Sequence, residues 1–306
     1  MRILLWIGAL LFMVQTSARP APTEFRVHTD RGALDISMIS PEIVRVRMIP
    51  NGARTDFPRV QIVLPQPKPT SGFAIHNEGD AWTLTSPLLT LRGKRDSLHV
   101  DFYDAQAHPL SLSAADIDTV EGQLREARSI QEEEEFFGFG LQFHSLAQRG
   151  KTKTLKVNAD PNSDLGNSHA VVPFFLSTSG YGIFLDSHAY THFDMGKTDP
   201  HRLTFQTPDP VLDYYFCYGP SFHALLARYT QLTGRMAMPP KWGLGFWYRM
   251  KSEWKADKVE EVAGAFRTHG IPCDVIGLEP RWQTHAYSCS YLWDTGQFPD
   301  PKAFVA

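Results

Sequence analysis

Pro240-Lys241-Trp242-Gly243-Leu244-Gly245-Phe246-Trp247-Tyr248 marks a change of grammar in this chain. Trp242 to Tyr248 is a continuous apolar run of strand length with no polar alternation, the pattern of a strand covered on both faces. A helical pattern follows, with Asp257 in the first turn and Val259, Val262, Ala263 and Phe266 on one face. Gly270, a residue that readily adopts the left-handed conformation at a helix end, stops it. Pro272 then leads into a second apolar strand, Cys273 to Leu278. Strand, helix, strand is a βαβ unit, whose right-handed crossover makes the strands parallel neighbours. A (β/α) barrel is the architecture this unit begins. A complete barrel takes about 250 residues, whereas residues 241–306 suffice for about two of its eight units. The barrel is therefore expected to be incomplete, as a fragment or with a second polypeptide closing it, because two strands with open edges leave backbone groups and apolar faces uncovered.

Upstream, from Glu24 to about Thr233, the pattern is strands and turns. Phe25 to His28, Leu34 to Ser37 and Ile43 to Met48 alternate apolar with polar residues, as half-buried antiparallel strands do. The same alternation in Val60-Gln61-Ile62-Val63, Trp82 to Thr85 and Val100 to Tyr103 predicts further strands, with turns at Asn51-Gly52 and Arg92-Gly93. A β-sandwich is the expected result. The acidic run Glu132 to Glu135 reads as a solvated turn.

With 42% hydrophobic residues the chain has material for a sizeable core. Thirty basic against thirty-three acidic residues leave no footprint for nucleic acid or an anionic membrane. Arg2, the apolar run Ile3 to Val14 and the small residues up to Ala18 form an export signal expected to be cut after Ala18, placing the protein outside the cell or in the periplasm. Twelve apolar residues fall short of the roughly 20 that span a membrane, so no membrane partner is expected after cleavage. Cys217, Cys273 and Cys289 have no metal-ligand spacing and read as buried thiols, one pair being open to bridging.

Landmarks in both regions carry a resemblance. Phe137-Gly138-Phe139-Gly140, Gln148-Arg149-Gly150-Lys151, Asn158-Ala159-Asp160, Pro173-Phe174-Phe175 and Gly180 to Phe184 occur in that order, followed by Pro240 to Gly245, Ile271 to Ile276, Trp293-Asp294 and Phe298 to Pro301. Together they resemble glycoside hydrolase family 31, the retaining α-glucosidase and α-xylosidase group. The resemblance implies a galactose-mutarotase-like sandwich over residues 22–235 and the truncated start of a TIM barrel over 239–306, after a signal peptide at 1–18. It further implies retaining hydrolysis of α-glycosidic bonds in an oligo- or polysaccharide, with no cofactor.

Retention requires two carboxyl groups about 5–5.5 Å apart. The resemblance implies aspartates on later barrel strands, beyond Ala306, so no catalytic residue is assigned and this chain alone is expected to be inactive. It implies substrate binding for four residues. Glu279 stands where the family usually carries an aspartate that hydrogen-bonds the sugar of the cleaved-residue subsite; the extra methylene implies a shifted contact or an altered sugar preference. Arg281 stands near the outer part of the ring, and a surface salt bridge explains it equally well. Trp282 is a sugar platform or a core residue. Asp160 reaches the leaving-group sugar or caps a turn. His169, His188 and His192 read as structural. Two rival functions remain open: a noncatalytic carbohydrate-binding sandwich and a mutarotase-like epimerase.

Overall fold

The computed structural model describes residues 21–69, 72–143, 145–158, 165–285 and 289–306. The export signal and Asp160 lie outside the described residues. The chain divides into two compact units, Met1–Arg235 and Met236–Ala306.

The first unit holds eighteen strands among the described residues, in three sheets. The seven-stranded sheet runs β1 (Glu24–His28), β2 (Gly32–Ser40), β3 (Ile43–Pro50), β18 (Leu212–Tyr218), β15 (Tyr181–Leu185), β14 (Val171–Ser177), β11 (Phe136–Gly140). The six-stranded sheet runs β13 (Asn167–Ser168), β12 (Thr152–Val157), β16 (Thr191–Met195), β17 (Arg202–Thr207), β10 (Gln123–Ser129), β9 (Ser113–Val120). The third runs β4 (Ala74–Glu78), β5 (Ala81–Thr85), β6 (Leu89–Lys94), β7 (Asp101–Asp104), β8 (Pro109–Ser111). One core is shared by all three: Leu34, Val46 and Phe216 of the first sheet pack with Phe193 and Phe205 of the second and Trp82 and Phe102 of the third. Phe102 stacks on Phe216 at 3.8 Å between ring centroids.

Strand β18 shows why the seven-stranded sheet is buried on both sides. Leu212, Tyr214 and Phe216 enter the shared core, while Tyr215 and Cys217, one residue out of phase, enter a second cluster with Phe174, Phe184 and Leu225. Helix α1 (Phe222–Thr233) covers that second face, started by Ser221, whose side chain accepts the Ala224 N–H. Asp213 also points to this face. Its buried carboxylate takes Arg45 through both oxygens (2.8 and 2.6 Å) and Arg59 at 2.9 Å, with Arg47 at 3.4 Å. Burial acts to lower the Arg45 guanidinium, but the hydrogen bond and charge of Asp213 outweigh it and hold Arg45 above its ordinary range.

Several expectations need correction. Val60 to Val63 forms no strand: prolines at 58, 65 and 67 remove ladder donors, and the segment instead straps α1, with Leu64 N–H donating to the Leu232 carbonyl. Arg92-Gly93 is not a turn but lies inside β6, and the Trp82 indole occupies the space where a Cβ at Gly93 would stand. The run Glu132 to Glu135 is only partly solvated. Glu134 is buried, accepting Ser177 Oγ at 2.5 Å and the Gln131 N–H at 2.9 Å, while Arg149 Nη1 donates to the carbonyls of Glu132 and Glu134. All three cysteines are free, and Cys289 is exposed rather than buried. Burial pushes the Cys217 thiol up to about 12.

The second unit begins with a turn of 3-10 helix at Lys241–Leu244 where the sequence suggested strand. The strand β19 is confined to Trp247–Arg249. Helix α2 (Ala256–Thr268) follows as expected, and Gly270 is left-handed at φ +64 just beyond its end. Strand β20 is shorter than expected, Val275–Gly277, and pairs with β19 in parallel through Trp247–Val275 and Arg249–Gly277. Phe266 of α2 packs on Tyr248 and Phe246, at 5.0 and 6.0 Å between ring centroids. The strands are not interior here: each has one neighbour among the described residues, and Trp247 is 57% exposed.

Candidate functional site

Parallel pairing of β19 and β20 puts their carboxyl ends side by side, the end at which barrel enzymes carry their chemistry. Arg249 ends β19, and Glu279 follows β20 by two residues, after the Met250 N–H has closed the pair on the Gly277 carbonyl at 2.9 Å. Here the two side chains meet. Arg249 grips the Glu279 carboxylate with Nε on one oxygen and Nη2 on the other, the latter at 2.9 Å. The Glu279 side chain is only 12% exposed while that of Arg249 is 76% exposed, so the carboxylate is held from the open side by a two-pronged donor. A carboxylate fixed this way keeps lone pairs for further donors, the requirement for grasping hydroxyl groups.

Glu279 also precedes a turn of 3-10 helix at Pro280–Trp282, without capping it through its side chain. Arg281 lies in that turn, its side chain exposed and its carbonyl accepting Gln297 Nε2 at 3.0 Å. Trp282 is turned into packing. Its ring lies 4.9 Å from that of Trp293, which in turn meets Phe298 at 5.3 Å and Phe304 at 5.9 Å. Backbone bonds from Asp294 N–H to the Trp282 carbonyl (2.8 Å) and from Thr284 N–H to the Leu292 carbonyl (3.0 Å) tie the loop to itself. Glu279, Arg281 and Trp282 thus follow one another just after β20, with Glu279 held by Arg249, Arg281 exposed and Trp282 packed on Trp293. Asp160 belongs to residues 159–164, outside the described set; on either side, Asn158 N–H donates to the Ser168 carbonyl at 2.9 Å and β12 pairs with β13.

Arg249 was missed from the sequence. The signal was present, since the first residue after the apolar run ending at Tyr248 must fall at the same rim as Glu279. The pairing across thirty residues was not legible without the strand register. Asp274, the other carboxylate beside β20, accepts the Phe246 N–H at 3.1 Å and lies at the amino end of the strand, opposite Glu279. Asp294 caps its own turn through the Gly296 N–H, and Asp300 caps helix α3 (Pro301–Val305) through the Ala303 N–H. Each of these aspartates is committed to local structure.

A β-sandwich followed by a parallel βαβ unit is the order of domains that the comparisons with known proteins match. Residues 33–194 match the glycosyl hydrolase 31 N-terminal galactose mutarotase-like domain, and residues 236–306 match the glycosyl hydrolases family 31 TIM-barrel domain. The chain belongs to glycoside hydrolase family 31. It is similar to the alpha-xylosidase XylQ of Lactiplantibacillus pentosus, 32% identical over 190 residues that make up 61% of this chain and 25% of that protein. It is also similar to alpha-glucosidase 2 of Bacillus thermoamyloliquefaciens, 30% identical over 290 residues, 92% of this chain and 36% of that one. Among solved structures, the Flavobacterium johnsoniae GH31 dextranase complexed with glucose superposes with a TM-score of 0.82 at 22% identity, over 94% of this chain and 36% of that chain. A mutant of that dextranase has been solved complexed with isomaltotriose. The chain thus spans about a quarter to a third of the length of these curated relatives.

Proposed function

We propose that the chain supplies the sandwich and part of the sugar-binding rim of an exported retaining α-glycosidase of the α-glucosidase or α-xylosidase type. The observation that carries this reading is the Glu279 carboxylate, nearly enclosed, held by Arg249 and placed at the carboxyl ends of two parallel strands. In this reading Glu279 accepts hydrogen bonds from hydroxyls of the sugar whose bond is cleaved. Arg249 keeps the carboxylate aimed, and Arg281 reaches the outer part of the ring.

The chemistry itself needs two carboxyl groups about 5–5.5 Å apart, one to attack the anomeric carbon and one to protonate the leaving oxygen and then activate water. Glu279 and Asp274 flank opposite ends of β20, and Asp294 and Asp300 serve as caps. The family resemblance implies aspartates on later barrel strands for both roles, so in this reading the reacting carboxylates lie outside residues 1–306, on a longer form of the chain or on a second polypeptide. Export rests on the leader from Ile3 to Ala18.

The test is titration of the full chain with isomaltotriose and with methyl α-xyloside, followed by ligand-detected NMR. Binding is expected to weaken by about tenfold or more in Glu279→Ala, the effect of losing a charge-assisted bond worth ~1.5–3 kcal/mol, with the thermal unfolding midpoint unchanged. Equal affinities for the wild type and Glu279→Ala would overturn the assignment of the rim.

A further inference from the structure

The outer face of the six-stranded sheet carries a feature that hydrolysis at the barrel rim does not use. Alternation sends Phe193, Leu203 and Phe205 into the core and leaves their neighbours facing outward. The register then lines these neighbours up in two rows across the strands. One row reads Thr154, His192, Gln206, Arg125, Asp118; the next reads Thr152, Asp194, Thr204, Ala127, Ala115. Because the second row ends in two alanines, the sheet surface sinks there into a trough of about 270 Å³. Ala115, Ala127 and Thr204 form its floor, Arg125, Gln206 and His192 one wall, and Asp194, Asp199 and Arg202 the other.

The charged groups around the trough are already engaged with one another. Arg125 forks onto Asp118 at 3.1 and 2.7 Å, Arg202 lies 3.8 Å from Asp199, and Asp116 is paired with Arg31. Asp194 accepts the N–H groups of Lys197 (2.7 Å) and Thr198 (3.2 Å). Four aspartates against two arginines disfavour an anion, each of the four carboxylates is already held by an arginine or by backbone N–H groups, and among the described residues no cluster could hold a metal ion. What stays uncommitted is neutral: the Gln206 amide, the Thr204 hydroxyl and the second ring nitrogen of His192, whose Nδ1 meets Thr154 Oγ1 at 3.0 Å. These offer donors and acceptors together, as adjacent hydroxyls require, above a floor of methyl groups suited to ring C–H atoms. The volume lies just under the range of about 300–1,000 Å³ typical of drug-sized ligands, so it accommodates one ring and not a chain.

We infer that this trough is a noncatalytic site for a single neutral pyranose on the sandwich, independent of the barrel rim. It lacks an aromatic platform, so its affinity is on the order of millimolar. The experiment is ligand-detected NMR titration of the full chain with methyl α-glucoside, on the wild type, Gln206→Ala, Ala115→Trp and Glu279→Ala, with thermal unfolding of each variant as a control on folding. Gln206→Ala is expected to weaken sandwich binding about tenfold. Ala115→Trp, which fills the trough from an exposed position, is expected to abolish it, and Glu279→Ala to leave it in place. If Ala115→Trp unfolds early, Gln206→Ala alone decides. The site is overturned if the wild type shows no saturable binding, if binding survives unchanged in Gln206→Ala and a folded Ala115→Trp, or if Glu279→Ala alone removes all binding.

Discussion

At Asp116 three side chains converge on one carboxylate. Ser97 Oγ donates at 2.9 Å, His99 Nδ1 lies at 3.0 Å from the same oxygen, and Arg31 takes the other. Because Ser97 and Asp116 both address Nδ1, the trio is a clamp and not a relay of the serine–histidine–aspartate kind, which needs the two ring nitrogens to serve different partners. Burial raises the Asp116 carboxyl, but the bonds from His99, Ser97 and Arg31 outweigh it and hold the group below the usual carboxylate range. The folded state thus binds this proton less readily than the unfolded chain. The stability that follows is present above the unfolded value of about 4 and is lost as the pH falls through the lower folded value. Asp116→Asn should therefore cost most at neutral pH, with the gap from the wild type closing as the pH falls below the unfolded value of about 4. Urea unfolding across that range checks it, and a gap independent of pH would count against the clamp.

On the scale of elements, the two faces of β18 decide how the sandwich holds its helix. Leu225 of α1 is fully buried against the cluster of Phe174, Phe184, Tyr215 and Cys217. Leu225→Ala is expected to cost about 2–5 kcal/mol, read as a lower urea midpoint with an unchanged slope. A cost under about 0.5 kcal/mol would mean that α1 is not seated on the sheet. The same elements show what the sequence made legible. Strands such as β2 and β3 announce themselves because each buries one alternate set of side chains, and the alternation is their burial written out. Val60 to Val63 carries the same alternation, yet Ile62 and Val63 pack beside α1 without a ladder and Val60 stays exposed, because nearby prolines withhold donors. Gly93 reads as a turn because a glycine in a strand has no local signature when its purpose is to make room for a tryptophan from the neighbouring strand. Glu279 was legible from its place after an apolar run, whereas the grip of Arg249 depends on register, which only the pairing of β19 with β20 supplies.

Across the whole molecule, the chain is built as two units. The sandwich closes three sheets over one core, while the second unit offers a βαβ start with a carboxylate at its rim. No described helix is long and apolar enough to cross a membrane. The central claim is that this chain grips sugar through Glu279 while both reacting carboxylates lie outside residues 1–306. The most direct measurement is the intact mass of the chain after incubation with a fluorinated α-glucosyl fluoride, a reagent that loads a retaining nucleophile and hydrolyses slowly from it. The account predicts an unmodified mass from a folded chain that still binds sugar. A single glycosyl adduct on any carboxylate of residues 1–306 would contradict it.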